Sequence, residues 1–425
     1  QGGVIMDQDL ASRQEARELG RRAEEAQKTL RTFSQEKLDA IVQAVSRAFL
    51  ASAGELGRMA CEETGFGNPQ DKEIKNRFAA ERVWEAIRDQ RTVGILREDP
   101  AQKVWDVGVP VGVIAAIVPS TNPTSTVCYK AMIALKAGCA IVFSPHPAAA
   151  KCTRRSVEIV AQAAEAAGCP RGAVSCLQTP TMEAVDELMK CPPVRLILAT
   201  GGPGMVKAAY SSGKPALGVG PGNTPAVIDD SADILLAVSS VIHSKTFDNG
   251  MICASEQSVV VLDSIYDRVK AEFIKRGCYV LNGEEIDKVR ATILINGALN
   301  AKIVGQSAHT IAALAGVDVP ESTKILIGEV TSTDLSEAFA HEKLSPVLAM
   351  YRASDFTDAM NKADTLVKDG GYGHTASVYL DTVSGKEKLD AFAEKMKACR
   401  ILVNTPSSHG GIGDLYNFKL APSLT

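Results

Sequence analysis

Apolar β-strand patterns alternate with helical patterns along most of this chain, and this alternation restricts its fold more than any other feature. Residues 111–118 form a fully apolar run, and residues 125–136 follow with helical periodicity. Further apolar runs at 140–143 and 196–200 are again followed by helical patterns. Strands that are apolar on both faces and separated by helices are typical of parallel sheets covered on both sides. The sequence therefore predicts an α/β fold of doubly wound parallel sheets.

The alternation extends over two domains, with a cleft expected between them. The strand at 225–228 closes the first series, the acidic loop 229–233 follows, and a second series of strands and helices begins after it. We therefore expect a cofactor-binding domain over residues 1–232 and a catalytic domain over 233–408. Residues 409–425 are expected to return towards the first domain. A chain of 425 residues is long enough for two hydrophobic cores.

Composition argues against several classes of function. The net charge is −4, and no stripe of lysine or arginine suggests nucleic-acid binding. No apolar run reaches the roughly 18 residues that a membrane span needs. The ten cysteines are scattered without a Cys-x-x-Cys pair. We therefore expect no disulfide framework, no metal site and a cytoplasmic protein.

One cysteine differs from the other nine in its surroundings. Cys253 follows the turn-forming residues 248–250 and precedes the apolar run 258–262. This position places a thiol at the mouth of a sheet, among small and polar neighbours. A thiol in such a loop can act as a nucleophile.

Four other short segments indicate a function only when they are considered together. Asn122 follows a strand, where its amide could donate to an oxyanion, although starting a turn and capping the next helix is the commoner role of an Asn-Pro pair. The segment 200–204 contains three glycines between a strand and a helix, and it suits a nucleotide phosphate or a plain tight turn equally. The loop 218–225 is rich in glycine and proline, which is typical of loops with unusual backbone angles. Glu342 precedes a strand and is by default a solvated side chain.

In this order, the Asn-Pro turn, the two Gly-rich segments, the loop cysteine and Glu-x-x-x-Pro-Val resemble the aldehyde dehydrogenase superfamily, most closely its CoA-acylating branch. The resemblance runs from about Ser34 onward. Segments 198–218, 247–257, 341–350 and 404–425 are similar to CoA-dependent propionaldehyde dehydrogenases and to the aldehyde dehydrogenase half of bifunctional alcohol/aldehyde dehydrogenases. It implies an aldehyde dehydrogenase-like fold. It also implies reversible oxidation of propionaldehyde or acetaldehyde, with NAD as cofactor and coenzyme A as co-substrate, to acyl-CoA.

The resemblance also implies roles for individual residues. Cys253 matches the nucleophile, Asn122 the oxyanion donor, and Glu342 the glutamate that contacts the nicotinamide ribose. His374 resembles a position proposed as the base, a structural loop histidine being the equal alternative, and His409 is a weaker candidate. Further positions in cofactor-binding segments are Thr200, Gly201, Gly202, Gly204, Ser144, Pro145, His146, Gly218, Val219, Gly220 and Leu344.

Two departures from the hydrolytic members of the superfamily are informative. Gly218 stands where those enzymes carry the glutamate that activates water, so a thioester on Cys253 would be left for a thiol such as coenzyme A. Ser144, Pro145 and His146 stand where they carry a lysine that holds the adenosine ribose. Nothing basic near His146 favours the 2′-phosphate of NADP.

The expected partners are a short-chain aldehyde and further copies of the chain in a homo-oligomer. Relatives continue past the equivalent of Thr425 with a strand that pairs between subunits, so further residues are expected there. The amphipathic pattern at 10–30 is explained more simply by packing on its domain than by targeting to the shell proteins of a bacterial microcompartment. The alternative functions are a phosphate-dependent semialdehyde reductase of the same fold and a non-catalytic nucleotide-binding subunit.

Overall fold

The computed structural model describes residues 7–413, which form two compact units that meet in sequence between Val219 and Gly220. The expected boundary at residue 232 lies later in the chain. The difference arises because the strand at 224–228, expected in the first domain, pairs within the sheet of the second unit. Residues 1–6, and residues 414–425 of the expected C-terminal segment, lie outside the described residues.

The described part of the first unit contains a five-stranded parallel sheet that is built outward from a central strand in both directions. Its elements are α1 (Gln8–Leu30), α2 (Gln35–Ala51), α3 (Ala53–Thr64), α4 (Pro69–Ile87), β1 (Gly94–Asp99), β2 (Val104–Gly108), β3 (Val113–Ile117), α5 (Pro123–Lys136), β4 (Ala140–Ser144), α6 (Ala150–Ala166), β5 (Val174–Cys176), α7 (Met182–Lys190), β6 (Val194–Thr200), α8 (Pro203–Tyr210) and β7 (Ala216–Val219). The five described strands of this sheet lie in the order β5-β4-β3-β6-β7, and β1 and β2 form a separate pair. The chain builds outward from β3 to β5 and then crosses to β6 on the other side. Such a switch point leaves a crevice at the carboxyl ends of its central strands.

The second unit contains a larger parallel sheet. Its elements are β8 (Thr224–Ile228), α9 (Ile234–Thr246), β9 (Glu256–Leu262), α10 (Tyr266–Lys275), β10 (Tyr279–Val280), α11 (Gly283–Ile293), β11 (Leu294–Ile295), β12 (Ala298–Leu299), α12 (Ala308–Ala315), β13 (Leu326–Glu329), β14 (Val347–Ala353), α13 (Phe356–Gly370), β15 (Gly373–Tyr379), α14 (Lys386–Lys395), β16 (Ala398–Val403) and α15 (Ser407–Ile412). The described strand order is β10-β13-β14-β9-β8-β15-β16. Strands β8 and β9 are buried along their whole length, which explains the apolar runs at 225–228 and 259–262 within them. The prediction of parallel-sheet α/β domains is confirmed.

The N-terminal helix packs on the first unit. Its small and apolar side chains face the domain and are buried: Ala16, Gly20, Ala23, Ala26 and Leu30. Arg17 pairs with Glu187 of α7 at 2.7 Å, and the hydroxyl oxygens of Ser12 and Thr181 lie 2.6 Å apart. These contacts favour the packing explanation of its amphipathic pattern.

The antiparallel pair β1–β2 is a feature that the alternating pattern did not predict. Nearly every residue of the two strands is exposed, and the side chain of Trp105 is 64% exposed. Exposed apolar side chains continue on the same hairpin and the segment after it: Ile95, Leu96, Val104, Val107, Val109 and Val111.

Three general properties of the described residues bear on function. No helix in residues 7–413 is long and apolar enough to cross a membrane. The ten cysteines all lie in this range, and none of them forms a disulfide. In the same range no group of three His, Cys, Asp or Glu side chains is placed to hold a metal ion.

Candidate functional site

Candidate residues of the second unit gather at the amino edge of its sheet. Gly222 precedes β8, Cys253 precedes β9, Glu342 and Leu344 precede β14, and His374 is the second residue of β15. The four strands are neighbours in the order β14-β9-β8-β15 and run parallel. Residues that precede adjacent parallel strands meet at one edge of a sheet. The fold therefore brings together segments that are far apart in sequence.

A left-handed turn sets the position of Cys253. Asp248 and Asn249 have φ angles of 47° and 51°, and Gly250 follows with 74°. The Asn249 amide donates to the carbonyl of Gly305 at 3.0 Å, which fixes the turn from outside. A Cβ atom on Gly250 would lie 2.9 Å from the backbone of Ser345, so only glycine fits there. Consecutive left-handed residues are costly and cluster at functional sites.

The thiol of Cys253 has a histidine partner. Nε2 of His374 lies 3.1 Å from Sγ of Cys253, and Nδ1 of the same ring lies 2.8 Å from Oγ1 of Thr375. When Nδ1–H donates to Thr375, Nε2 is left as the acceptor for the thiol proton. A nucleophile in contact with a base that is oriented by a third group is the arrangement used in nucleophilic catalysis.

The environment of His374 keeps its ring neutral. His374 is 7% exposed, and burial, together with the nearby guanidinium of Arg400, lowers its pKa to about 4. At neutral pH the ring therefore carries one proton and can accept a second. The carbonyl of His374 also accepts a hydrogen bond from the thiol of Cys399 at 3.1 Å.

Deeply buried cysteines provide the contrast with Cys253. Burial raises the pKa of the Cys128 thiol well above its ordinary value, and it also raises the pKa values of Cys152 and Cys176. Thiols in such surroundings stay protonated and behave as small hydrophobic groups. Cys253 is only half-buried and contacts a histidine.

Gly222 packs its backbone directly against the loop that carries Cys253. A Cβ atom on Gly222 would lie 2.0 Å from the carbonyl oxygen of Cys253 and 3.2 Å from Cε1 of His374. Its N–H donates to Oε1 of Glu342 at 2.9 Å. Gly222 therefore joins three candidate residues, and any side chain at this position would push them apart.

Glu342 is surrounded by buried polar groups. Burial raises the pKa of Glu342 to about 7. The N–H of Gly222 and the ammonium groups of Lys245 and Lys343 favour the charged form and partly oppose this rise. Burial lowers the pKa of Lys245 to about 7 and that of Lys343 well below its ordinary value. Oε1 of Gln257 accepts from the Lys245 ammonium and from the backbone N–H of Lys343. These contacts tie the end of α9, the start of β9 and the Glu342 loop together.

Two cofactor positions predicted near this edge have distinctive backbones. Leu344 has a φ of 45°, an uncommon conformation for a branched side chain, and its carbonyl accepts from the N–H of Gly305 at 2.9 Å. Gly220 is the first residue of the second unit, and a Cβ atom there would meet no atom within 4 Å. His409, the weaker base candidate, stacks on His243 with ring centroids 4.4 Å apart.

Candidate residues of the first unit lie at the opposite end of their strands. Asn122 follows β3, residues 144–146 end and follow β4, and residues 200–204 end and follow β6. All three strands are parallel neighbours, so these segments share the carboxyl edge of the sheet. Lys130 joins two of the strand ends, donating to the carbonyls of Ile117 and Leu198 at 3.1 Å and to Oγ1 of Thr200 at 2.9 Å.

The side chain of Asn122 does not cap the helix that it precedes. It occupies the N-cap position of α5 but makes no side-chain cap bond. Instead its Oδ1 accepts from Nζ of Lys75 at 2.6 Å, and its Nδ2 donates to Oγ1 of Thr121 at 3.2 Å. The capping role expected from the Asn-Pro pair is thus absent from this described turn.

The glycine turn leaves open space at the start of α8. A Cβ atom on Gly202 or Gly204 would meet no atom within 4 Å, and one on Gly201 would meet only the side chain of Met205, at 3.6 Å. None of the three has a positive φ. Neither packing nor backbone angle therefore requires glycine here, whereas close approach of a ligand backbone or phosphate would.

The remaining predicted cofactor positions are divided between buried and exposed sites. Ser144 is buried, and its hydroxyl has no hydrogen-bond partner among the described residues. Pro145 is also buried, while His146 is exposed and its Nδ1 accepts from the N–H of Ala148. Gly218 and Val219 lie in β7, paired with Ala199 and Thr200 of β6.

The position of Gly218 in a strand adds to the sequence argument. A Cβ atom there would lie 2.9 Å from Val206 and 3.0 Å from Tyr210. Tyr210 and Gly218 are also hydrogen-bonded, with the Gly218 N–H donating to the phenol oxygen at 2.9 Å. A glutamate at 218 would therefore displace side chains of α8 and would not simply extend into a site.

Sequence reasoning missed several residues of both edges. No sequence motif marks Lys75, Thr375, Lys245 or Gln257, and Gly222 stands out only as part of a Gly-rich loop. Lys75 lies three positions after Lys72, a spacing that normally marks the solvated face of a helix. Only the tertiary packing shows that both ammonium groups are turned inward.

Comparison with known proteins identifies the family. The model of the aldehyde dehydrogenase family matches residues 1–413. The bifunctional aldehyde-alcohol dehydrogenase AdhE of Escherichia coli is 56% identical over 407 residues, 96% of this chain and 46% of that protein. The chain thus spans about half the length of curated relatives such as this one.

Solved structures agree with this match. An acetylating aldehyde dehydrogenase from Geobacillus thermoglucosidasius has a TM-score of 0.96 at 50% identity, covering 99% of this chain and 92% of that one. A propionaldehyde dehydrogenase of Rhodopseudomonas palustris, solved with bound CoA and an acylated cysteine, has a TM-score of 0.82 at 31% identity, covering 94% and 89%. By sequence and by fold, the chain belongs to the aldehyde dehydrogenase family.

Proposed function

We propose that this chain oxidises a short-chain aldehyde, propionaldehyde or acetaldehyde, with NAD and coenzyme A to acyl-CoA and NADH, reversibly, through a thioester on Cys253. The observation that carries the proposal is the 3.1 Å contact between Sγ of Cys253 and Nε2 of His374. The acetylating and CoA-bound relatives support the choice of coenzyme A as the acyl acceptor.

The first step is attack of the thiol on the aldehyde. Sγ of Cys253 bonds to the carbonyl carbon, the carbonyl electron pair moves to oxygen, and the thiol proton passes to Nε2 of His374. Burial disfavours the imidazolium, so His374 holds this proton only briefly and returns it to solvent or to a leaving group. The backbone N–H of Cys253 can donate to the resulting oxyanion, and Asn122 is the proposed amide donor.

The second step removes a hydride. A bound nicotinamide would supply the acceptor for the hydride that leaves the former aldehyde carbon, and the acyl thioester would then remain on Cys253. Residues that fit such a cofactor are the open turn at Gly201, Gly202 and Gly204, the start of α8, and the unpartnered hydroxyl of Ser144. Glu342 and Leu344 lie at the other candidate edge, in the second unit.

The third step transfers the acyl group to a thiol. The thiol of coenzyme A loses its proton to neutral His374 and attacks the thioester carbonyl, and Cys253 leaves as a thiolate that recovers a proton. Hydrolysis would need a base for water, which Gly218 lacks and which Val206 and Tyr210 leave no room for. The thioester therefore persists until a thiol arrives, and the two half-reactions imply ping-pong kinetics.

The test is NADH formation from propionaldehyde and NAD with and without coenzyme A. Wild-type protein should require coenzyme A for continuous turnover, and Cys253→Ala should form no NADH. Cys61→Ala, which removes another half-buried cysteine, is the matched control and should remain active. Sustained turnover by Cys253→Ala, or turnover that orthophosphate supports in place of coenzyme A, would contradict the proposal.

Further copies of the chain are the proposed partners. The exposed apolar side chains of β1–β2 support a homo-oligomer, because Ile95, Trp105 and Val107 would otherwise remain in water. The packed helix α1 argues that its apolar stripe is used within the chain rather than for docking to microcompartment shell proteins. Cytoplasmic location remains the proposal that fits ten cysteines without a disulfide.

A further inference from the structure

We infer that Lys75 is a positioning residue, which holds the amide oxygen of Asn122 so that the NH₂ group remains the donor for an oxyanion. This inference rests on the proposed function, in which Asn122 is the oxyanion donor. It concerns a residue of α4 that does not touch the substrate and that acts through Asn122.

The contact between the two side chains is short and sheltered. Nζ of Lys75 lies 2.6 Å from Oδ1 of Asn122, and Lys75 is 5% exposed. One turn earlier on the same helix, Nζ of Lys72 lies 3.4 Å from the carbonyl of Thr121. Two ammonium groups of α4 thus approach the turn between β3 and α5.

The neighbouring residue locks α4 to this turn. The Asn76 side chain donates to the carbonyl of Ala53 at 3.0 Å and accepts from Oγ1 of Thr124 at 2.7 Å. Thr124 is the second residue of α5, two positions after Asn122. The distance from Lys75 to Asn122 is therefore set by fixed helices.

The chemistry of lysine decides which way the amide points. An ammonium group has donors and no acceptor, so only the oxygen of the Asn122 amide can face it. The NH₂ group must then lie on the other side. One of its two hydrogens is directed at Oγ1 of Thr121, and the second is left for a ligand. Without Lys75 the amide could rotate by half a turn and present its oxygen, which would repel an oxyanion.

The positive charge also makes Asn122 a better donor. A cation on the amide oxygen draws electron density from the nitrogen, and hydrogen bonds in such a chain strengthen one another. The absence of a cap bond from Asn122 to α5 fits the same role, because its oxygen is committed to Lys75. Pro123 at the first helical position has no N–H that needs capping.

The experiment is a double-mutant cycle between Lys75→Met and Asn122→Ala. The readout is the rate of the single NADH burst from propionaldehyde and NAD without coenzyme A, together with the KM for NAD. Removal of one oxyanion donor typically slows catalysis about 10²- to 10³-fold. We expect Asn122→Ala to fall in that range and Lys75→Met to slow the burst at least about tenfold, with the KM for NAD unchanged. In the Asn122→Ala background, Lys75→Met should have no further effect.

A matched control separates positioning from general stability. Lys136 is another buried lysine of the first unit, at the far end of α5, where it pairs with Asp39 and donates to the carbonyl of Arg88. Lys136→Met should lower the melting temperature and leave the burst rate unchanged. If Lys75→Met does not fold, Lys75→Gln takes its place under the same criteria, because an amide that donates and accepts no longer dictates the orientation of Asn122.

Each outcome decides between the proposals. A normal burst in Lys75→Met beside a slow one in Asn122→Ala would overturn the positioning role and leave the proposed function intact. Equal, additive losses in the cycle would also overturn it, since Lys75 would then act elsewhere. A normal burst in Asn122→Ala would remove the oxyanion role of Asn122 from the proposed function, and the role of Lys75 with it.

Discussion

The two units use opposite edges of similar parallel sheets. In the first unit Asn122 and the glycine turn follow β3 and β6, at the carboxyl edge, where open α/β sheets bind ligands. In the second unit Cys253, Glu342 and His374 precede or begin their strands, at the amino edge. The first edge is open and suited to a cofactor, whereas the second is packed and suited to holding reactive groups in fixed contact.

Glycines show the same difference in physical terms. At Gly202 and Gly204 an added Cβ atom would meet nothing, while at Gly222 it would lie 2.0 Å from the Cys253 carbonyl oxygen. The first pair leaves room for a ligand, and the second position lets two backbone segments touch. A Gly-rich segment in sequence can therefore mean either an empty site or the tightest packing in the unit.

Removal of the base should produce the largest effect at the amino edge. His374→Ala leaves Cys253 without its acceptor at 3.1 Å, and loss of a general base typically slows a reaction about 10²- to 10⁴-fold. His309→Ala is the matched control, because His309 is a partly buried histidine of the same unit whose Nδ1 contacts the Val319 carbonyl. Steady-state kcat with propionaldehyde and coenzyme A measures the effect. A kcat for His374→Ala within twofold of wild type would show that His374 is a structural loop histidine and not the base.

Overpacking the amino edge should be the next largest effect. Gly222→Ala forces a methyl group against Cys253 and His374, and we expect it to destabilise the protein by about 3 kcal/mol and to lower turnover less than His374→Ala does. Urea denaturation and the NADH assay measure the two losses. Unchanged stability would show that the loop can shift, and the contrast between packed and open glycines would fail.

Acid should weaken the amino edge through His374. Its pKa is lowered to about 4 in the folded protein and is about 6.5 in an unfolded chain. The unfolded chain therefore binds the proton first, so stability present above pH 6.5 is lost as the pH falls towards 4. Between pH 7 and pH 5 the loss from this group is about 2 kcal/mol. Urea denaturation should show that His374→Gln lacks this part of the loss, and equal pH dependence in both proteins would contradict the buried neutral ring.

A substitution at the open carboxyl edge of the first unit should change the stability least. Gly204→Ala adds a methyl group to empty space in the first turn of α8, where alanine favours a helix over glycine by up to about 1 kcal/mol. We expect an unchanged or slightly higher melting temperature together with a severalfold higher KM for NAD. A fall in stability without a change in KM would show that the turn is packed like Gly222 and has no ligand to admit.

The sequence predicted the fold where the signal is local. Apolar runs such as 140–143, which forms most of β4, are visible in short windows. The apolar sequence of strand 224–228 would suit a buried position in either sheet. Its sequence alone therefore does not show that it pairs with β9 and β15. That pairing moves the boundary from 232 to 219.

The candidate site was predicted in part. Cys253, Asn122 and His374 stood out through their motifs, and the structure places His374 against Cys253. No sequence pattern marks Lys75, because its contact with Asn122 depends on where α4 packs and not on its neighbours in sequence. The blocked space at Gly218 is likewise set by Val206 and Tyr210 of another element.

If Cys253 carries the acyl group, intact-protein mass spectrometry detects the acyl-enzyme. Protein incubated with propionaldehyde and NAD, without coenzyme A, should gain a single propionyl group that coenzyme A then removes, and Cys61→Ala should behave identically. Cys253→Ala should gain none. A propionyl adduct on Cys253→Ala, or a wild-type protein that forms NADH continuously without coenzyme A, would contradict the account.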